Sequence, residues 1–127
     1  MVDGIKRFVV DASFVLSFLF RDEKNVHVDD FFIRFRDSEI ELIAPSILDY
    51  EIGNAVRTAS MRKRLNKKEG MSILDNYQKL AISLCPVDIQ TTYQYALKHN
   101  LTFYDASYIV LAKTEKVRLL TLDKNFR

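Results

Sequence analysis

Phe8-Val9-Val10-Asp11-Ala12-Ser13 is the stretch on which the fold turns: an unbroken apolar run that stops on a carboxylate and then passes into a second apolar segment, residues 14–20. Val and Phe without alternation suit a strand covered on both faces, as in a parallel sheet, and ligands of such sheets sit beyond the carboxyl ends of the strands. Asp11 falls at that position. It also has a plainer use as the N-cap of the following helix, where an Asp side chain accepts free backbone N–H groups. The test between the two readings is whether other acids converge on the same place.

Working outward, residues 13–20 predict a short helix. Val28, Phe31, Phe32 and Phe35 recur at i, i+3, i+4, i+7 and predict a second helix, whose aromatic stripe is core rather than a platform for stacked bases. Residues 41–45 read as a second strand closed by Pro45, residues 82–85 as a third stopped by Pro86, and residues 117–123 as a fourth that ends, like the first, on an acid. Ser46 and Asp49 form a capping-box-like opening to a helix that runs to about Met61. Asn66 and Glu69 open another, with Ile73, Leu74, Tyr77, Leu80 and Ala81 as its apolar face. Asp88 caps a helix with Ile89, Tyr93, Ala96 and Leu97 inward that ends near His99 and Asn100, and a last helix starts around Thr102 and carries Asp105. Strands alternating with helices predict an α/β fold with a parallel sheet, formed by residues 1–127 as a single domain.

The 127 residues are 48% hydrophobic and 28% charged, a globular composition. One cysteine, Cys85, makes neither an internal disulfide nor a zinc site. No stretch reaches the roughly 20 apolar residues of a membrane span, and the amino terminus lacks the order of a signal peptide, so the expected location is cytoplasmic. There is no Gly-rich phosphate loop, and His27 and His99 sit where helix ends need them rather than in a nucleophilic triad.

That leaves the carboxylates. Asp49 is accounted for as a cap, but Glu51 lies beside the apolar stripe of its own helix, where an unpaired charge is costly. Asn54 adds a second polar group one turn on. Asp11 and Asp123 end strands, while Glu51 and Asp105 lie near the starts of helices that enter from the same edge of the sheet. Like charges about 4 Å apart repel by roughly 4 kcal/mol at an effective dielectric near 20, so such a group persists by protonation or by taking up a cation. Oxygen-only ligands favour Mg²⁺ or Mn²⁺, and such ions activate water for attack on phosphorus. The pattern points to phosphodiester hydrolysis. The net charge is only +2, but with those four acids set aside the rest of the chain is distinctly basic, as suits a polyanionic substrate. Arg57, Arg62, Lys63, Arg64, Lys67 and Lys68 cluster toward the tip of a helical hairpin; they read either as a solvated turn or as an edge that grips phosphates without choosing sequence, which the resemblance described next would make RNA-binding.

Val9-Val10-Asp11-Ala12-Ser13, the segment from Pro45 through Glu51 with Gly53-Asn54-Ala55, Leu101-Thr102-Phe103-Tyr104-Asp105-Ala106 and Leu119-Leu120-Thr121-Leu122-Asp123 together resemble a PIN domain, and within it the VapC-type toxin ribonucleases of bacteria and archaea. The resemblance spans nearly the whole chain in the family's order. It implies a three-layer α/β/α sandwich with a mainly parallel central sheet, often a homodimer, that hydrolyses RNA with Mg²⁺ or Mn²⁺ and is held inactive by a small antitoxin protein. Asp11, Glu51, Asp105 and Asp123 would be the catalytic metal ligands, directly or through water, with Ser13, Asn54, Thr121 and Asn125 supporting them or positioning substrate. Two departures stand out. Position 12 is Ala where a hydroxyl is common, and the chain stops at Arg127, leaving little room for a short strand that many relatives add. Two other readings are a non-catalytic PIN-fold subunit that binds RNA or protein, and a receiver-like signalling module. The latter would need a phosphoacceptor acid after the third strand, where Cys85-Pro86 stands instead.

Overall fold

The computed structural model describes residues 4–20, 22 and 25–126. Four parallel strands, β1 (Lys6–Val10), β2 (Ile40–Pro45), β3 (Ser83–Cys85) and β4 (Arg118–Leu120), form one sheet in the order β3-β2-β1-β4. Val9 stands opposite Ile43 on one side and Leu119 on the other. β1 and β2 are central and covered on both faces, which is why neither alternates: Val9, Val10 and Ala44 are completely buried. The edge strands are three residues each and are largely polar or half-exposed, with Leu120 of β4 the buried exception.

Among the described residues six α-helices connect the strands: α1 (Ala12–Leu19), α2 (Val26–Arg36), α3 (Ile47–Met61), α4 (Lys67–Leu80), α5 (Ile89–His99) and α6 (Phe103–Glu115). The crossovers from β1 to β2 to β3 run in one direction across the sheet, whereas the connection from β3 to β4 runs back past β1. With right-handed crossovers this sends α1–α4 to one face and α5 and α6 to the other, giving three α/β/α layers. The packing agrees, since α1 touches α2, α3 and α4 while α6 packs on α5 and on the strands β1 and β2. The reversal makes the carboxyl ends of β1 and β4 a topological switch point, the crevice where ligands of open α/β sheets bind.

The aromatic stripe of α2 is core. Phe31 lies 5.4 Å from Phe8 and 5.7 Å from Phe14, and Phe32 stacks on Phe18 at 4.2 Å, so these rings are spent on packing α1 and α2 against β1. On α3, Leu48, Ile52, Val56 and Ala59 face inward. The Asn66–Glu69 capping box forms as expected, with reciprocal bonds of 2.8 and 2.9 Å. Asp88 caps α5 through the Thr91 N–H at 2.8 Å, and Asn100 closes it in the left-handed conformation.

Four expectations are corrected. Ser46 has helical dihedrals and makes no capping bond, and Asp49 instead accepts the Tyr77 hydroxyl at 2.7 Å, tying α3 to α4. The fourth strand ends at Leu120, because the following residues turn out of the ladder to bond the end of β1. The third begins at Ser83 rather than residue 82. On α5 the buried residues are Thr92 and Ala96, whereas Ile89, Tyr93 and Leu97 are 71%, 57% and 65% exposed. Small residues let α5 approach α6 closely, which leaves the larger apolar row facing outward.

The caps give a contrast for measurement. Asn66→Ala is expected to lower unfolding stability in urea by about 1 kcal/mol, while Ser46→Ala, which removes no capping bond, stays within about 0.5 kcal/mol of the wild type.

Candidate active site at the switch point

Asp11 follows the last residue of β1, and both of its sequence readings hold at once. Its backbone is extended and it caps α1, accepting the Phe14 N–H through Oδ1 at 3.0 Å. The same oxygen accepts the Ser13 hydroxyl at 2.7 Å, and Oδ2 accepts the hydroxyl of Thr121. Each hydroxyl also accepts a backbone N–H from the segment leaving β4: Ser13 from Leu122 at 2.9 Å and Thr121 from Asp123 at 2.9 Å. Two side chains thus stitch the exit of β4 to the exit of β1, with the buried Asp11 carboxylate at the centre. Asp123 emerges from this stitch half-buried, its Oδ1 accepting the Asn125 N–H at 2.9 Å.

The other two acids arrive on helices. Glu51 lies in the second turn of α3, and its Oε1 accepts the hydroxyl of Tyr108 from α6. Asp105 lies in the first turn of α6, where its N–H is capped by Thr102 Oγ1 at 3.0 Å. Among the described residues no bond from the Thr102 backbone N–H to the Asp105 side chain completes a capping box; what the carboxylate has from its cap is the Thr102 hydroxyl, which opposes the rise in its pKa.

The four charges feel one another. Burial pushes the Asp11 carboxyl above its ordinary pKa; bonds from Thr121, Ser13 and Phe14 oppose this, and repulsion from Asp123 adds to it. Glu51 is also raised by burial, against the Tyr108 bond and with repulsion from Asp105 and Asp11. Asp105 is raised by burial and then by Asp123. The Tyr108 phenol is pushed up by burial and by Glu51, so it stands as a neutral donor.

Among the described residues none of the four acids is ion-paired to Lys or Arg. Nor do any three acids, histidines or cysteines there stand close enough together to cage an ion as placed. The donor set fits a hard divalent cation held partly by water: Mg²⁺ keeps several waters and takes one or two carboxylates together with substrate phosphate oxygens. Lone pairs remain for it. Asp11 uses three of about four acceptor positions, while Glu51 and Asp123 each use one oxygen and keep the other.

The remaining expected residues divide. Ser13 and Thr121 touch Asp11 directly. Asn125 reaches Asp123 only through its backbone, and Asn54 is exposed on α3 with no side-chain bond among the described residues. Arg57, Arg62, Lys63, Arg64, Lys67 and Lys68 are all exposed. Arg64 is committed to Asp22 at 3.0 Å and lies 5.5 Å over the Phe20 ring. At 1.5 Å per residue, α3 carries Arg57 about 9 Å and Arg62 about 16 Å from Glu51 along its axis, so the hairpin tip flanks the acids at a distance rather than joining them. Tyr108 was missed by sequence reasoning. The available signal was its spacing: three residues after Asp105, on the same helical face, with a polar tip that burial obliges to find a partner.

The PIN domain family model matches residues 8–127. Ribonuclease VapC1 of Mycobacterium tuberculosis is 37% identical over 81 residues, 63% of this chain, and the match spans 61% of that relative's length, under two thirds. VapC ribonuclease Mb0985 of Mycobacterium bovis is 31% identical over 91% of this chain and 84% of its own length. Ribonuclease VapC3 of Pyrobaculum aerophilum is 27% identical over 93% and 90%. The crystal structure of PAE2754 from Pyrobaculum aerophilum superposes with a TM-score of 0.75 at 22% identity, covering 98% of this chain and 84% of that one, a likeness of fold. An acid-lined switch point on a β3-β2-β1-β4 sheet, together with a match over residues 8–127, leads to one conclusion: the chain belongs to the PIN domain family.

Proposed function

We propose that the chain is a Mg²⁺- or Mn²⁺-dependent endoribonuclease, the toxin of a toxin–antitoxin pair, acting on RNA in the cytoplasm. What supports this reading is that each of Asp11, Glu51, Asp105 and Asp123 repels at least one of the others at the switch point, with no basic partner among the described residues. The VapC ribonuclease names of the relatives supply the substrate class. No helix among the described residues is long and apolar enough to cross a membrane. The receiver-like alternative is dropped, since the chain is a PIN-family member and β3 ends on Cys85.

A divalent cation bound there would polarise the phosphoryl group and lower the pKa of an attacking water. The chain's own part is preorganisation. Ser13, Thr121 and the Phe14 N–H fix the Asp11 carboxylate, and Tyr108 fixes Glu51, so the ligand oxygens need no reordering when substrate arrives. Asn54 and Asn125, at the rim, would meet substrate rather than the ligands. Exposed Arg57, Arg62, Lys63, Lys67 and Lys68 would hold flanking phosphates, while Arg64 mainly secures the end of α1. The antitoxin would cover the acidic rim. A second copy of the chain would cover the Ile89, Tyr93 and Leu97 row of α5. Those three side chains recur at i, i+4 and i+8 and form one exposed stripe, which antiparallel two-fold pairing of α5 with its mate would bury against its like.

Cleavage of total cellular RNA is expected with Mg²⁺ or Mn²⁺ and to stop with EDTA, and Asp11→Asn and Asp105→Asn are each expected to cut activity by about 100-fold or more. Equal activity in all of these overturns the nuclease, and Mn²⁺ binding without cleavage favours the non-catalytic PIN subunit. The raised carboxyls make stability and activity run in opposite directions with pH. A folded-state pKa above the unfolded one stabilises the metal-free fold at low pH and loses that contribution as pH rises through the raised value, whereas cation uptake needs the ionised form and so strengthens over the same rise. Asp11→Asn, which can retain its cap, is therefore expected to raise the Tm of the EDTA-treated protein at pH 7 while abolishing the Tm increase that Mn²⁺ gives the wild type. For the α5 surface, sedimentation should find a dimer that Leu97→Asp converts to monomer with its fold intact.

A further inference from the structure

Tyr108 is 1% exposed, and its hydroxyl donates to Glu51 Oε1 across the gap between α6 and α3. Its backbone sits three residues beyond Asp105 on the same helix. Its ring lies 6.5 Å from that of Phe126, at the end of the short 3-10 turn Lys124–Phe126 that follows Asp123. One side chain is therefore in contact with or adjacent to the carriers of three of the four acids. Glu51 has three rotatable bonds, and only a fixed contact offsets the entropy of holding its carboxylate in one place. The Tyr108 hydroxyl is the only hydrogen-bond partner the Glu51 carboxylate has among the described residues.

We infer that Tyr108 is a positioning residue for Glu51, its phenol holding Oε1 so that Oε2 is presented to a divalent cation. The inference rests on the nuclease reading and adds a residue to it. A buried tyrosine that merely filled space would act through its ring. This one acts through its oxygen, and the two roles separate in Tyr108→Phe, which keeps the ring beside Phe126 and deletes the hydroxyl alone.

Calorimetric titration with Mn²⁺ is the measurement. Tyr108→Phe is expected to bind about 10–100-fold more weakly than wild type, the usual cost of removing a partner that orients a ligand. It should also cut RNA with lowered kcat and unchanged KM. In a Glu51→Gln background the same substitution should cost nothing further, since its target carboxylate is already gone. Mn²⁺ affinity within twofold of wild type overturns the role, as does an equal loss in both backgrounds. Should Tyr108→Phe fail to fold, Tyr108→Met fills much of the ring's volume without a donor and leaves Glu51 in place; Mn²⁺ affinity lowered about tenfold or more there supports the role, and affinity within twofold of wild type overturns it. A wild-type chain that neither binds Mn²⁺ nor cuts RNA overturns the nuclease reading and this inference together. A wild type that does both, beside an unaffected Tyr108→Phe, overturns the positioning role alone.

Discussion

A carboxylate buried at the end of a central strand is the constraint on which the site depends. Asp11 is 4% exposed, and an ionised group there is tolerated only because three donors and a helix amino terminus meet it. Those donors are not local decoration. Thr121 is 110 residues away along the chain, and the two hydroxyls that bond Asp11 also take the backbone N–H groups of Leu122 and Asp123. Satisfying Asp11 therefore ends β4, sets the path of the chain beyond it and delivers the fourth acid beside the first.

Around that stitch the structure separates stability from chemistry. The aromatic cluster of α1, α2 and β1 and the inward row of α3 supply apolar burial without polar atoms, so they anchor the two elements that present Asp11 and Glu51. The acids pull the other way. Three of the four are raised by burial, and repulsion from a neighbouring acid adds to each, so the rim costs more with its acids ionised than with them neutral. A fold that concentrates charge in this manner carries a cost in stability that cation binding would relieve. The repulsion that makes these carboxylates costly to bring together is the same force by which a cation would be drawn to them.

The misread positions share a cause. Ile89, Tyr93 and Leu97 have helical spacing, and periodicity identified their helix and the inward Ala96 correctly, yet spacing cannot say which of two adjacent rows meets a neighbour. Thr92 and Ala96 won because they are small enough for close approach to α6. Ser46 and Asp49 have capping-box spacing, but Tyr77, arriving from another helix, made a better partner for Asp49. In both cases a local rule lost to a contact made at long range.

By itself the sequence determined the alternation of strands and helices, the doubly covered first strand and most helix boundaries, and it singled out four acids as candidates, because hydrophobic period, capping residues and turn chemistry act over a few residues and leave a local record. The tertiary structure alone decided that β4 stops at Leu120, that Ser13 and Thr121 close on Asp11, that Tyr108 holds Glu51, and that α5 turns its larger side chains outward. Apart from the Ser13–Asp11 bond, which spans two residues, each of these depends on residues far apart in sequence. Only the packing of the sheet and its two helical layers fixes which distant polar groups must satisfy one another once water has been excluded.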